Sequence, residues 1–359
     1  MTGPTGRTHA VGAPAQFTPA EERAMSRALE FAQSPGVPLG PNPRVGCVLL
    51  DASGETVAEG FHRGAGTAHA EAAALGRAGD RARGGTAVVT LEPCNHTGRT
   101  GPCAQALIDA GVARVVFAQS DPNPVAAGGA ETLRAAGIDV VSGLLVEEAR
   151  AVNRVWAFAV DHGRPFVTWK FAGTLDGRSV AADGTSRWIT SAAARADVHR
   201  LRAVCDVVLA GTGTVLADDP ELTVRDAAGN NLPHQPLRAV MGLSEVGDHL
   251  RVRNDAAATV VLPTRDPAAA LAELYQRDRQ HVLLEGGPRL AAAFLTAGLV
   301  DEVVGYIAPA LLGAGAAAVG DLGITTIADT LRLELRDVTT IGSGEDACIR
   351  ITATRKGGN

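Results

Sequence analysis

The chain has 359 residues, a net charge of −6 and 46% hydrophobic residues, enough apolar side chain for two domains or one large one. The negative balance and an aromatic content of 4% argue against general binding to nucleic acid or an anionic membrane, though not against a local basic pocket for one phosphate. No apolar run reaches the ~20 residues of a membrane helix. The odd set of five cysteines (Cys47, Cys94, Cys103, Cys205 and Cys348) speaks against a disulfide framework and for a reducing cytoplasm.

Residues 1–16 are Gly, Pro, Thr and Ala without an apolar core, and read as a disordered tail. Order begins near Phe17. Thr18-Pro19-Ala20-Glu21 carries the signature of an N-cap, a first-turn proline and a capping-box acid, which predicts a helix to about residue 33. Residues 44–50 and 56–62 read as paired strands, 68–78 as a helix opening on His-Ala-Glu, and 86–90 as a short buried strand. A Gly- and Thr-rich loop reaches Pro102. Cys103 then opens a helix to residue 110, and strands at 114–118 and 139–141 flank another helix. This alternation predicts a layered α/β domain over 17–145. A helical connector follows over 146–164, with Gly163-Arg164-Pro165 at its end. A second α/β domain is expected over 165–357, with strands at 166–174, 206–210, 237–241, 258–262, 281–285, 302–308, 331–338 and 347–353.

The strongest chemical pattern is His69-Ala-Glu71 followed by Pro93-Cys94 and Cys103. Zinc favours nitrogen and sulfur ligands, and a catalytic zinc keeps one of four positions open for water, which it acidifies. His69, Cys94 and Cys103 supply three ligands; Cys103 at a helix start is well placed to be a thiolate. Glu71 is the candidate proton shuttle. An offset of two residues separates side chains by about 200° on a helix, so His69 and Glu71 share a pocket only if both sit at its first turn. The order matches the His-x-Glu…Pro-Cys pattern of zinc deaminases, except that eight residues rather than two separate the cysteines. The competing reading is a closed structural zinc site with Cys47 as the fourth ligand.

Further runs join this pattern: Pro41-Asn-Pro-Arg-Val-Gly46, Leu91-Glu-Pro-Cys-Asn-His-Thr-Gly-Arg-Thr-Gly-Pro-Cys103 and Asp121-Pro-Asn-Pro124. In the second half come Lys170 with Leu175-Asp-Gly177, Trp188-Ile-Thr190, Thr214-Val-Leu-Ala-Asp-Asp-Pro220 and Leu222-Thr-Val-Arg225. Glu285-Gly-Gly-Pro288 and Tyr306-Ile-Ala-Pro309 complete the set. Together they resemble the bifunctional deaminase–reductases of riboflavin biosynthesis, over nearly the whole chain from Phe17.

The resemblance implies a cytidine-deaminase-like three-layer α/β/α domain with one Zn²⁺, followed by a dihydrofolate-reductase-like α/β domain using NADPH. The first would remove the 2-amino group of a diaminopyrimidinone ribosylamine 5′-phosphate; the second would open its ribose and reduce it to a ribityl chain. It places Asn42, His62, His96 and Arg99 at the deaminase substrate, although Asn42 and Arg99 taken alone read as an ordinary turn amide and a solvated loop cation. It assigns NADPH to Ala172, Trp188, Thr214, Asp218 and the run Gly287, Pro288, Arg289, Leu290, Ala291, Ala292 and Ala293. A strand, two glycines and a helix start suit a phosphate, and Gly211-Thr-Gly213 is a second such turn. The reductase substrate is assigned to Lys170, Ser186, Arg202, Leu222, Arg225 and Glu285. Arg202 and Arg225 are phosphate forks on this reading and salt-bridge partners on the other. Lys170, mid-strand among apolar residues, needs a partner, and Glu285 facing it across the substrate ribose is the candidate. One departure stands out: relatives often carry an acid at the strand end that here reads Val240-Met241-Gly242.

Expected partners are a small phosphorylated pyrimidine and further copies of the chain, with no nucleic acid and no membrane. The rival readings are a deaminase whose second domain only binds nucleotide, a nucleic-acid deaminase, and a zinc-stabilised binding protein. Lys170, Glu285 and the Gly-Gly turn oppose the first, charge and composition the second, and Glu71 the third.

Overall fold

The computed structural model describes residues 17–34, 36–37, 40–97 and 101–356, so the 1–16 tail and Arg99 lie outside the described residues. The chain forms two compact units. One runs to Arg154; the other takes Val155 onward together with the short segment 39–43.

The first unit opens with α1 (Pro19–Ala32), started by a capping box in which Thr18 and Glu21 each accept the other's backbone N–H. Next come β1 (Gly46–Leu50), β2 (Thr56–Phe61), α2 (Ala70–Ala78), β3 (Thr86–Leu91) and α3 (Cys103–Ala110). They are followed by β4 (Arg114–Gln119), α4 (Gly129–Ala135) and β5 (Asp139–Ser142). The sheet order is β2-β1-β3-β4-β5; β1 is antiparallel to β2 and β3, while β3, β4 and β5 are parallel. Val48, Leu50, Val88 and Val116 bury one sheet face against Ala24, Met25, Ala28 and Leu29 of α1. Strand alternation sends Cys47, Leu49 and Val89 to the opposite face. Two glycines set the helix spacing. A Cβ on Gly46 would meet Ala28 O at 1.9 Å, and one on Gly60 would meet Ala70 O at 2.3 Å, so α1 and α2 lie directly against opposite faces. The helix α5 (Val146–His162) covers the α1 face with Ala149, while Asn153 brackets Arg44 through its backbone N–H and C=O at 2.8 and 2.9 Å. The division between the two units falls inside this helix.

The second unit continues with β6 (Phe166–Thr174), α6 (Ala192–Ala203), β7 (Val207–Gly211), α7 (Thr212–Asp218), β8 (Leu237–Met241) and β9 (Thr259–Leu262). Then come α8 (Pro267–Gln276), β10 (His281–Leu284), α9 (Pro288–Thr296), β11 (Glu302–Ala308), β12 (Leu333–Ile341) and β13 (Cys348–Arg355). The eight-stranded sheet runs β12-β13-β11-β6-β10-β7-β8-β9. From β11 to β9 it is parallel, and β13 and β12 add antiparallel strands at one edge. The strands from β6 to β9 are mostly apolar, as strands covered on both faces require, with Lys170 on β6 and the fully buried Arg238 on β8 as charged exceptions. Val167, Trp169, Leu209 and Leu284 pack with Leu271, Leu274 and Phe294 of the flanking helices. Helix α7 occupies what reads in sequence as a glycine turn. The last two strands begin one or two residues later than their sequence pattern suggests.

Candidate active sites of the two units

His69 is the N-cap of α2, in extended conformation (φ −66°, ψ 160°), so it precedes the helix while Glu71 lies in the first turn. That kink resolves the 200° problem: the two side chains leave the backbone on different trajectories and reach one pocket. Cys94 follows β3, and Cys103 is the first residue of α3. The His69 Nδ1 lies 3.5 Å from Cys94 Sγ and 3.3 Å from Cys103 Sγ, and the three ligand atoms fall within 4.8 Å of one another. One nitrogen and two sulfurs at this separation fit a tetrahedral zinc with a position to spare. Cys47 is fully buried on β1 and, among the described residues, the group holds only His69, Cys94 and Cys103, which counts against Cys47 as a fourth ligand. Hydrogen bonds from Cys103 and His69 hold the Cys94 thiol down to about 4, and that neighbouring charge together with burial pushes Cys103 up. A metal cation favours the thiolate at both. Glu71 is buried, and burial pushes its carboxyl up to about 7, with the Cys94 charge adding to the shift.

Around this centre, His62 Nδ1 faces Ala68 O at 3.1 Å, which makes it the protonated nitrogen and Nε2 the acceptor. Burial lowers the His62 pKa, and its ring meets that of His69 edge-on at 5.3 Å. His96 has a buried Nδ1 with no partner among the described residues. Asn42 falls in the 39–43 segment, which groups with the second unit. Glu92, buried behind Cys94, accepts the backbone N–H groups of Gly128, Ala130 and Asp121 and so ties the following loop to α4; its role is architectural.

In the second unit the polar residues converge at the carboxyl ends of parallel strands, where open α/β sheets place their sites. Leu284 pairs with Trp169, so the next residues of β10 and β6, Glu285 and Lys170, are neighbours. Lys170 Nζ lies 3.9 Å from Glu285 Oε2. Arg202 of α6 grips the same carboxylate with two bonds, Nε to Oε1 at 2.5 Å and Nη2 to Oε2 at 3.0 Å, and its Nη1 donates to Thr223 O at 2.8 Å. Despite burial, the Arg202 and Lys170 charges hold Glu285 at about 2. Burial lowers the Lys170 pKa, and Arg202 adds to that while Glu285 opposes it.

Two regions of the chain match known families: the cytidine and deoxycytidylate deaminase zinc-binding region over residues 18–119, and the RibD C-terminal domain over residues 165–345. The riboflavin biosynthesis protein RibD of Mycobacterium tuberculosis is 48% identical over 322 residues, covering 89% of this chain and 94% of its own; that of Escherichia coli is 40% identical over 366 residues, covering 92% and 99%. The chain belongs to the RibD family. Among solved structures, Acinetobacter baumannii RibD has a TM-score of 0.84 at 36% identity, covering 94% of this chain and 99% of that one. The Thermotoga maritima deaminase/reductase has a TM-score of 0.82 at 34% identity with the same coverage. The protein is thus a bifunctional enzyme of riboflavin biosynthesis, a zinc-binding deaminase domain with a cytidine-deaminase-like fold followed by a dihydrofolate-reductase-like RibD reductase domain.

Several expectations for the RibD reductase site change in detail. Lys170 and Glu285, expected to face each other across a ribose, meet directly at 3.9 Å. Leu222 sends its side chain into the core with Val208, Ala210 and Val215, and at φ +54° only its main chain is left for a ligand. Arg225 pairs with Glu221, four residues earlier, and donates to Thr223 Oγ1 at 3.3 Å. Ser186 is half-buried and Ala172 lies on β6. Trp188 is 69% exposed, with the Arg195 guanidinium 4.5 Å from its ring centre. Arg187 donates to the Asp218 carbonyl. Thr214 Oγ1 accepts the Gly287 N–H at 3.2 Å, which joins the two glycine turns and uses one of the amides a phosphate would seek; Pro288 has none to offer. Ala291 and Ala292 of α9 are buried. Gly242 explains the departure at the end of β8. At φ +144°, a Cβ there would lie 2.3 Å from Thr212 Oγ1, so no acidic side chain fits beside this threonine. His199, one helical turn before Arg202, is the residue at this site that sequence reading passes over.

Acid sensitivity follows from Glu285. Its pKa is lowered from 4.5 to about 2, so its contribution to stability is complete above 4.5 and is lost as pH falls toward about 2. Trp169 and Trp188 lie well inside the second unit and Trp156 on α5 just past the division, so tryptophan emission reports chiefly the second unit. Urea midpoints followed by tryptophan emission should fall across this pH window, and Glu285→Gln, weaker at neutral pH, should show a flatter slope. An equally steep slope in the variant would assign the effect to other carboxylates.

Proposed function

We propose that the first unit hydrolyses the 2-amino group from a diaminopyrimidinone ribosylamine phosphate, and that the second reduces the ribosyl chain of that product to ribityl with NADPH. The observation that carries the reading is the meeting of His69, Cys94 and Cys103 beside a buried carboxyl, in a chain that also brings Lys170, Arg202 and Glu285 together. The T. maritima relative is described as a diaminohydroxyphosphoribosylaminopyrimidine deaminase/5-amino-6-(5-phosphoribosylamino)uracil reductase, which supports the substrate class. The proposed domains are 17–145 and 165–357, joined by 146–164.

A zinc ion on His69, Cys94 and Cys103 would supply Lewis-acid activation of water. Glu71, buried beside the ligands and outside their set, takes a proton from the attacking water and returns it to the departing amine. His62, His96, Asn42 and Arg99 are the proposed substrate contacts; the unpartnered Nδ1 of His96 suits a hydrogen bond to ligand. The water oxygen bonds to the amidine carbon as its exocyclic C–N bond breaks, leaving a ring carbonyl and ammonia, so the step consumes one water and no reductant.

Opening the ribose leaves an oxygen that needs a proton. Glu285, held near 2, stays ionised, and Arg202 does not give up its proton. Lys170, with its lowered pKa, is the donor of the three. NADPH would supply the hydride. Ala172, Trp188, Thr214, Asp218 and 287–293 are its proposed cradle, Ser186 and the Leu222 main chain are proposed to hold the sugar, and Arg225 its phosphate.

The five unpaired cysteines support a reducing cytoplasm, and no described helix is long and apolar enough to cross a membrane. Exposed Leu335 and Val338 on the edge strand β12 favour homo-oligomerisation. The test is NADPH consumption by the purified, zinc-loaded protein given the diaminopyrimidine substrate and no other enzyme. Oxidation with ammonia release is expected. Ammonia alone would remove the reductase assignment, and neither signal would overturn the substrate class.

A further inference from the structure

His199 and Arg202 lie three residues apart on α6, on one face of the helix, and both reach the loop between Leu222 and Arg225. Arg202 Nη1 donates to Thr223 O at 2.8 Å. The backbone N–H of Arg225 donates to His199 Nδ1 at 3.2 Å. An imidazole nitrogen that accepts cannot carry a proton, so His199 is in the Nε2–H form when neutral. Burial lowers the His199 pKa first and the Arg202 and Arg225 cations lower it further, while the Glu285 carboxylate and a hydrogen bond to the Thr223 backbone oppose them.

The loop has its own reasons to need this pin. Asp219 and Leu222 both sit at positive φ, +41° and +54°, a conformation non-glycine residues adopt only when surrounding contacts hold them. Thr223 is fully buried, and Val224 is clamped by Gln235, which accepts its N–H at 2.7 Å and donates to its C=O at 2.8 Å. Arg225, the next residue, lies opposite Asn231 in an antiparallel bridge, with Val224 O accepting from Leu232 N–H and Asp226 N–H donating to Asn230 O, so its own N–H turns outward to His199. His199 holds its main chain, while its guanidinium, half-buried, pairs with Glu221.

We propose that His199 is a positioning residue of the reductase: its Nδ1 fixes the Arg225 main chain and so sets where the Arg225 guanidinium meets the substrate phosphate. This rests on the reading above that Arg225 binds that phosphate. His199 makes no direct contact with the sugar or the base on this account, and acts on binding of the phosphorylated end alone.

The experiment uses the full chain, with the deaminated phosphorylated intermediate and NADPH, and compares His199→Ala, His199→Asn, His199→Gln, Arg225→Ala and the His199→Ala/Arg225→Ala double variant. Loss of one main-chain hydrogen bond at a charged site should raise KM by about tenfold in His199→Ala, with turnover at saturation near the parent value. Asparagine places Oδ1 close to where Nδ1 stands and should restore KM; glutamine, one carbon longer, should not. Should His199→Ala fail to fold, the asparagine and glutamine pair carries the same comparison. In the Arg225→Ala background, His199→Ala should add nothing further. An unchanged KM in His199→Ala beside a raised one in Arg225→Ala overturns the positioning role and leaves the phosphate reading intact. Equal KM effects of His199→Ala in both backgrounds overturn it differently, by making His199 a direct contact. An unchanged KM in Arg225→Ala removes the phosphate reading and this proposal with it.

Discussion

Glu71→Gln lowers ammonia release by about 10²–10⁴-fold while the protein keeps its metal. Glutamine has nearly the shape of glutamate but cannot carry the proton between water and amine. The ligand group consists of His69, Cys94 and Cys103, and Glu71 stands outside it, so metal affinity has no reason to collapse. The site also loses a carboxyl whose ionised form is penalised by burial, so the fold should not suffer. Metal content by elemental analysis, ammonia release, and NADPH oxidation with supplied intermediate make the three readouts. Metal and reductase activity should persist while deamination disappears. Loss of metal and fold together would mean that Glu71 is structural and the centre is not catalytic.

Lys170→Ala should cost the reductase about 10²–10⁴-fold and leave ammonia release at its parent rate. The variant is a clean test because of Arg202. Removing one member of a buried ion pair ordinarily strands the other charge, at a cost of about 3–5 kcal/mol. Here Glu285 keeps its two bonds to Arg202, at 2.5 and 3.0 Å, so the carboxylate remains neutralised and the unit should stay folded. Lys170→Arg separates the two things a lysine offers. Arginine keeps the charge beside Glu285 but does not release a proton. An inactive Lys170→Arg supports proton donation. Recovery of the reductase by arginine would show that charge suffices and would transfer the proton step to another group, and an unaffected Lys170→Ala would remove Lys170 from the chemistry altogether.

Most of the elements and the candidate metal group of this protein are legible in its sequence. The strands Phe166–Thr174, Leu237–Met241 and Glu302–Ala308 and the helix Cys103–Ala110 stand where their local patterns place them. Largely apolar, β-branched and aromatic runs, and a helix start marked by Pro102, leave little choice. The candidate metal group was legible because its members stand at local landmarks: a histidine at the N-cap position of one helix, and cysteines after a strand and at the first turn of another. The remaining features depend on distances between residues far apart in sequence. Cys47 reads as a possible fourth ligand until the sheet buries it away from the group. Leu222 is placed at the substrate by resemblance alone, and the structure adds that its side chain lies in the core at a positive φ. Arg202 and Glu285 are 83 residues apart, and it took the parallel pairing of β10 with β6 to bring that carboxylate to both Lys170 and Arg202. Gly242 looks like a missing acid until Thr212 is seen to occupy the space. His199 has no motif at all; it acquires a role only because α6 packs over a loop more than twenty residues further along the chain. Local sequence sets backbone preference and burial, whereas the partner of each charge is chosen by register and packing, which no single segment encodes.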